Sequence, residues 1–154
     1  MSEALEGSIL INMAKNKLQV TYDYDFTLLA LNANVKAYRL AWSINKDLKL
    51  NLSKSDNIEI DFKSGRNLNI VNYIDAGEYR TIRLLRNRAE ETEEQFDAFI
   101  IPELKNFDYF LILENESSTF DENVFFTKIK EIPFVLFATK VDIEALKSRD
   151  NLIF

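Results

Sequence analysis

The chain has no histidine and no cysteine, and among its 154 residues only three are glycine and two are proline. Each shortage removes a class of chemistry. Without histidine there is no Ser–His or Cys–His nucleophile, no imidazole metal ligand and no side chain that ordinarily titrates near neutral pH. Without cysteine there is neither a disulfide nor a thiolate, which fits a reducing compartment. Gly7, Gly65 and Gly77 stand at least 12 residues apart, so neither a G-x-G-x-x-G turn nor a Walker A loop can be written. No D-x-D-x-D-G calcium loop occurs. Long apolar runs are missing too: none approaches the ~20 residues that cross a bilayer. Glu3 and Glu6 stand where a secretory leader would carry lysine. The expectation is a cytoplasmic protein with no cofactor, no bound metal and no membrane contact.

What is present describes a folded domain. The chain is 47% hydrophobic with 12 Phe and 6 Tyr, and 29% charged, a balance that supports a core and a wetted surface. At this length one domain is the size prior, burying roughly 70% of the surface that the unfolded chain exposes. Residues 1–12 read as a flexible tail, with Met13 as a second plausible start, and 13–154 as a single globular domain.

Charge is unevenly placed. Residues 1–75 are neutral, 76–88 carry a net +3 from Arg80, Arg83, Arg86 and Arg88 against Glu78, and 89–154 carry −9, giving −6 for the whole. An acidic chain of pI about 4.8 is a poor general binder of polyanions. The four arginines form the one candidate basic patch. On a strand Arg83 would point away from the other three, and Ile82 and Leu84 would share the face of Arg80 and Arg86. A solvated strand end paired with nearby glutamates is therefore preferred to an RNA-binding stripe.

Periodicity outlines the elements. Apolar and polar residues alternate over 17–26, which predicts a strand, while 28–31 fits strand or helix. From Asn34, a fair N-cap, Ala37, Leu40, Ala41, Ile44 and Leu48 line one helical face. Tyr38 and Trp42 are placed on its flank, as core rather than ligand contacts, with Ser43 opposite. Alternation over 58–62, 68–74 and 79–85, punctuated at Gly65 and Gly77, predicts an antiparallel meander. "RAEETEEQ" reads as a solvated loop. The stretch 107–114 reads as a central strand, apolar on both faces. Thr119 and Glu122 form a capping box for a helix turning Phe125, Ile129 and Ile132 inward and closed by Pro133. A strand over 134–141, apolar on both faces, and a short helical turn in "DIEALKS" complete the chain. The apolar end at Leu152, Ile153 and Phe154 suits a docking tail and, equally, packing on its own sheet or on a second copy. The fold class is α+β: an antiparallel-rich mixed sheet of about six strands, with two main helices covering one face.

One segment concentrates unusual residues, "IPELKNFDYFLIL". Pro102 holds Ile101 extended and suits the start of a helical turn. Glu103 then sits at the positive end of that turn. Asp108 shares a face of the central strand with Phe110 and Ile112, where an acid needs backbone amides or an arginine. Both acids are expected to steer a turn into the sheet, not to handle protons.

Ile101, Pro102, Glu103, Phe107, Asp108 and Tyr109 resemble the I-P-E-x-x-x-V-D-Y signature of the bacterial IPExxxVDY family of Bacteroidota, with Phe107 in place of valine. "YRLAWSINKDL", residues 38–48, is similar to that family's N-terminal helix, so the likeness spans most of 13–141. The family has no assigned activity, and the resemblance implies a fold and no catalytic residues. The expected function is a non-enzymatic protein-interaction or adaptor module, with self or another protein as partner and a homodimer as one form. The alternatives are an RNA- or ribosome-associated factor using the arginine strand, and an acid- or magnesium-dependent hydrolase built on Glu103, Asp108 and Tyr109.

Overall fold

A computed structural model describes residues 24–61, 67–90 and 98–154. The tail, the turn at Gly65 and most of the glutamate loop lie outside the described residues. So does most of the strand expected over 17–26, and Tyr24 to Phe26 are not in strand conformation.

Strand β1, Thr27–Ala33, takes up the segment that alternation left undecided. Leu28 and Ala30 enter one core and Leu29, Leu31 and Ala33 the other, so a continuous apolar run becomes a strand with two buried faces. Helix α1, Ala37–Leu48, follows. Its N-cap is Lys36, without a side-chain hydrogen bond, rather than Asn34. Leu40, Ala41 and Ile44 are buried as expected, but so is Ser43, while Tyr38 is 64% and Trp42 60% exposed. The helical wheel explains the reversal: at about 100° per residue, both aromatics fall about 160° from Leu40. Lys49 closes the helix in the left-handed region, φ 56°, with its amide on Asn45 O. The Asn45 side chain then clamps Leu52 from both sides, donating to its carbonyl (2.9 Å) and accepting from its amide (2.7 Å).

Five short strands follow: β2, Ser53–Lys54; β3, Ile58–Asp61; β4, Asn67–Ile70; β5, Asn72–Ala76; and β6, Arg80–Arg86. The strand expected over 68–74 is broken at Val71. β4 pairs with β3 in a separate two-stranded sheet, while β5 joins the main one. The break lets Leu68 and Ile70 pack over the face of the main sheet. After β7, Tyr109–Asn115, comes helix α2, Glu122–Glu131, then edge strand β8, Val135–Val141. The main sheet runs β2-β5-β6-β7-β1-β8, and all its pairings are antiparallel. β1 therefore separates β7 from β8.

The N-cap of α2 is Asp121, whose carboxylate accepts from the amides of Asn123 (2.9 Å) and Val124 (3.2 Å). That displaces the expected Thr119–Glu122 box, and Glu122 instead accepts from Thr27 Oγ1 (2.6 Å). Phe125, Ile129 and Ile132 are buried as expected. β8 differs from expectation: Leu136 is 74% and Phe137 53% exposed, on an edge strand paired to β1 alone whose register shifts between Asn32 and Ala33, leaving Leu136 without a residue opposite it. Both helices lie on one face of the sheet, over Leu31, Leu84, Leu111 and Ala138. The other face is covered by β3–β4, Ile100, Ile101 and the 3₁₀ turns Ile143–Ala145 and Arg149–Leu152. Leu152 is buried and Phe154 exposed beneath the Arg83 guanidinium. No helix among the described residues is long and apolar enough to cross a membrane.

Candidate functional site

The proline-led turn is built around a residue that sequence reasoning passed over. Asn87 directly follows β6 and is fully buried. Its carboxamide donates to Leu104 O (2.8 Å) and Phe107 O (3.0 Å) and accepts from Ile101 N (3.1 Å). Its own backbone bonds the amide of Ile100 (2.8 Å) and the carbonyl of Asp108 (2.9 Å). A buried amide must find partners, and here those partners are both ends of the 3₁₀ turn Pro102–Leu104. The one hint in the sequence was an asparagine between two arginines where the apolar alternation stops.

The motif residues take separate stations around this hub. Ile101 is extended (φ −123°) and Pro102 opens the turn. Glu103 reaches away, accepting from Ser148 N at 2.8 Å. Partial burial pushes its carboxyl up, but hydrogen bonds from the Ser148 side chain and from the Glu103, Ser148 and Lys147 amides outweigh that and hold it below the usual range. Asp108 Oδ2 accepts from Ala33 N (3.0 Å), tying the entry of β7 to the exit of β1. Tyr109 donates to Val35 O at 2.5 Å. Burial raises its phenol, with Asp108 and Tyr73 adding to the rise and Arg86 opposing it.

Tying these chain ends together leaves a cleft of about 830 Å³ at one end of the sheet. Register explains the location. Arg86 and Leu31 both oppose Tyr109, and Lys54 opposes Tyr73, so β1, β2, β5, β6 and β7 all terminate there. The uncapped N-terminus of α1 opens on the same space through Ala37 and Tyr38. Among the described residues Lys36, Lys54, Arg86, Arg88 and Lys105 line it, together with the acids Glu90 and Asp108. Tyr73 also lines it, its phenol raised by burial. Of the hydrolase set, Asp108 and Tyr109 meet at this cleft, whereas Glu103 is engaged at Ser148 outside it. Among the described residues no three acids are grouped to hold a metal ion.

The arginine patch is divided. Arg80 lies over the Phe120 ring (4.7 Å) and is 3.8 Å from Asp75, its one acidic partner among the described residues. Arg83 lies over Phe154 (5.2 Å) on the opposite face. Only Arg86 and Arg88 reach the cleft. What the sequence did not reveal is that Lys36, Lys54 and Lys105 come from three distant segments to join them.

Comparison with protein-family models gives no match, and no curated protein and no solved structure matches the chain.

Two outcomes follow from this geometry. Asn87→Ala leaves the Ile101 amide and the Leu104 and Phe107 carbonyls without their partner, and should cost about 2–3 kcal/mol in denaturant unfolding. A loss no larger than that of an exposed Asn→Ala control would refute the hub. Glu103 has a folded-state pKa below its unfolded one, so its contribution is present above the ordinary carboxylate range and disappears as pH falls through the lowered value. Glu103→Gln should therefore melt below the parent at pH 7, with the gap closing in acid. A gap that widens as pH falls would contradict the assignment.

Proposed function

We propose that the protein is a non-enzymatic binding module that receives an anionic partner at the end of its sheet. The observation that carries this reading is the convergence of Lys36, Lys54, Arg86, Arg88 and Lys105 on one cleft in a chain of net charge −6. Like charges gathered into a concave, low-dielectric site focus the field and attract a counter-charged ligand. The groups that a hydrolase would need are committed elsewhere: the Asp108 carboxylate to Ala33, the Tyr109 hydroxyl to Val35 and Glu103 to Ser148. An adaptor role in the cytoplasm accords with this arrangement, as does the resemblance of Ile101 to Tyr109 to a family without assigned activity.

Retention on immobilised heparin at low ionic strength tests the cleft, because a chain of pI about 4.8 has no global charge to hold it there. The full chain should be retained and elute as salt is raised, and Arg86→Glu with Lys105→Glu should pass through with its fold intact. A parent that flows through would defeat the proposal.

A second reading rests on β8, where Leu136 and Phe137 stand exposed on a strand whose outer edge is unpaired among the described residues. Apolar edges invite a matching strand, which supports a homodimer. Size-exclusion light scattering should give a dimer mass for the parent and a monomer mass for Leu136→Lys. A parent that stays monomeric at high concentration removes this reading.

A further inference from the structure

The cleft is not merely basic; aromatic rings line it too. Tyr38 lines it and is 64% exposed, so the first turn of α1 presents a phenol ring to solvent beside Lys36. Phe107 also lines it and stacks on Phe137, which lies beyond the lining, with centroids 6.2 Å apart and planes at 29°. Phe137 is itself 53% exposed. Exposed rings cost solvation and are poor candidates for leaving bare. Here they share the lining with cations: Tyr38 with Lys36 from the start of α1, Phe107 with Lys105 from the segment before β7, and Arg86 and Arg88 from the end of β6.

Resting on the anion-binding reading above, we propose that the occupant is a single-stranded polynucleotide, its phosphates on the lining cations and its bases stacked on Tyr38 and on the Phe107–Phe137 pair. Single strands are held by this combination of a positive groove and aromatic faces, because every base offers a π-surface and every linkage a charge. A duplex fits worse, since its bases are already stacked and offer no faces to Tyr38 or Phe137. An acidic polypeptide would satisfy the cations and leave the rings unused. The ends of five strands meet at the cleft, and the arginines bound to Phe120 and Phe154, Arg80 and Arg83, take no part.

The chemistry sets the signature of binding. Each phosphate neutralised on a single strand contributes about −0.7 to the slope of log K against log salt, so the five cations set a limit of about −3.5. At that limit, affinity falls roughly 100-fold as monovalent salt is raised about fourfold. Stacking contributes separately and resists salt.

The test is fluorescence anisotropy with the full chain and short labelled oligouridylate, oligodeoxythymidylate, a duplex of equal length, and polyglutamate. Both single strands should bind, the duplex and polyglutamate should not compete, and any preference between RNA and DNA identifies which sugar the cleft favours. Arg86→Gln with Lys105→Gln should flatten the salt slope by about 1.4. Tyr38→Ala should weaken binding roughly 5- to 100-fold with the slope unchanged; because Tyr38 is exposed, the variant keeps its fold, and Phe137→Ala provides an independent ring deletion. If polyglutamate or duplex competes as well as the single strands, or if neither ring deletion weakens binding, the polynucleotide assignment falls while heparin retention preserves the anion cleft. If oligonucleotides and heparin both fail to bind, both readings fall.

Discussion

Burial of the Asn87 carboxamide is tolerable only because its donors and acceptor are spent on the backbone of one turn. Stripping water from an amide costs several kcal/mol unless hydrogen bonds replace it. The turn from Ile101 to Phe107, which has little regular structure of its own, is held by that requirement. The motif acids complete the bracing from either side, Asp108 on the amide of Ala33 and Glu103 on that of Ser148. Carboxylates serve well here because ionised acceptors make stronger bonds to amides than neutral ones do.

From this bracing follows the character of the sheet end. With the loop after β6 drawn in toward β7, and with β1 tied to both, the strand termini gather around a hollow in place of a packed cap. Side chains at strand ends and on the first turn of α1 then point into shared space, whatever their separation in sequence. Lys36, Lys54 and Lys105 meet Arg86 and Arg88 in this way. A protein that is acidic overall thus gathers, among the described residues, five cations and two acids around one cleft. Low-dielectric walls strengthen their field inside the hollow and bulk salt screens it outside.

The edge strand and the outer face of α1 show a complementary pattern. Leu136, Phe137, Tyr38 and Trp42 all have the composition of core, yet all stand in solvent. Lys46 over Trp42 and Arg39 over Phe134 cover part of this aromatic surface with cations, which lowers its exposure without burying it. The same helical phase that buries Ser43 leaves the two aromatics outside.

Much of this architecture was legible in order of residues alone. The apolar stripe of α1 at Leu40, Ala41 and Ile44, the inward face of α2 at Phe125 and Ile129, and the central placement of β7 follow from periods of 3.6 and 2, which are local properties of the backbone. The absence of histidine and cysteine was equally plain, and it narrowed the chemistry before any fold was known. What the order of residues could not decide was which element ends at an edge, where 68–74 breaks, and which distant cations meet. These depend on strand order and register, set by the collective packing of both faces, and a one-residue difference in pairing moves every side chain to the opposite side. The buried asparagine and the cleft beside it belong to that second class: each exists only because segments far apart in the chain must share their hydrogen bonds at one end of the sheet.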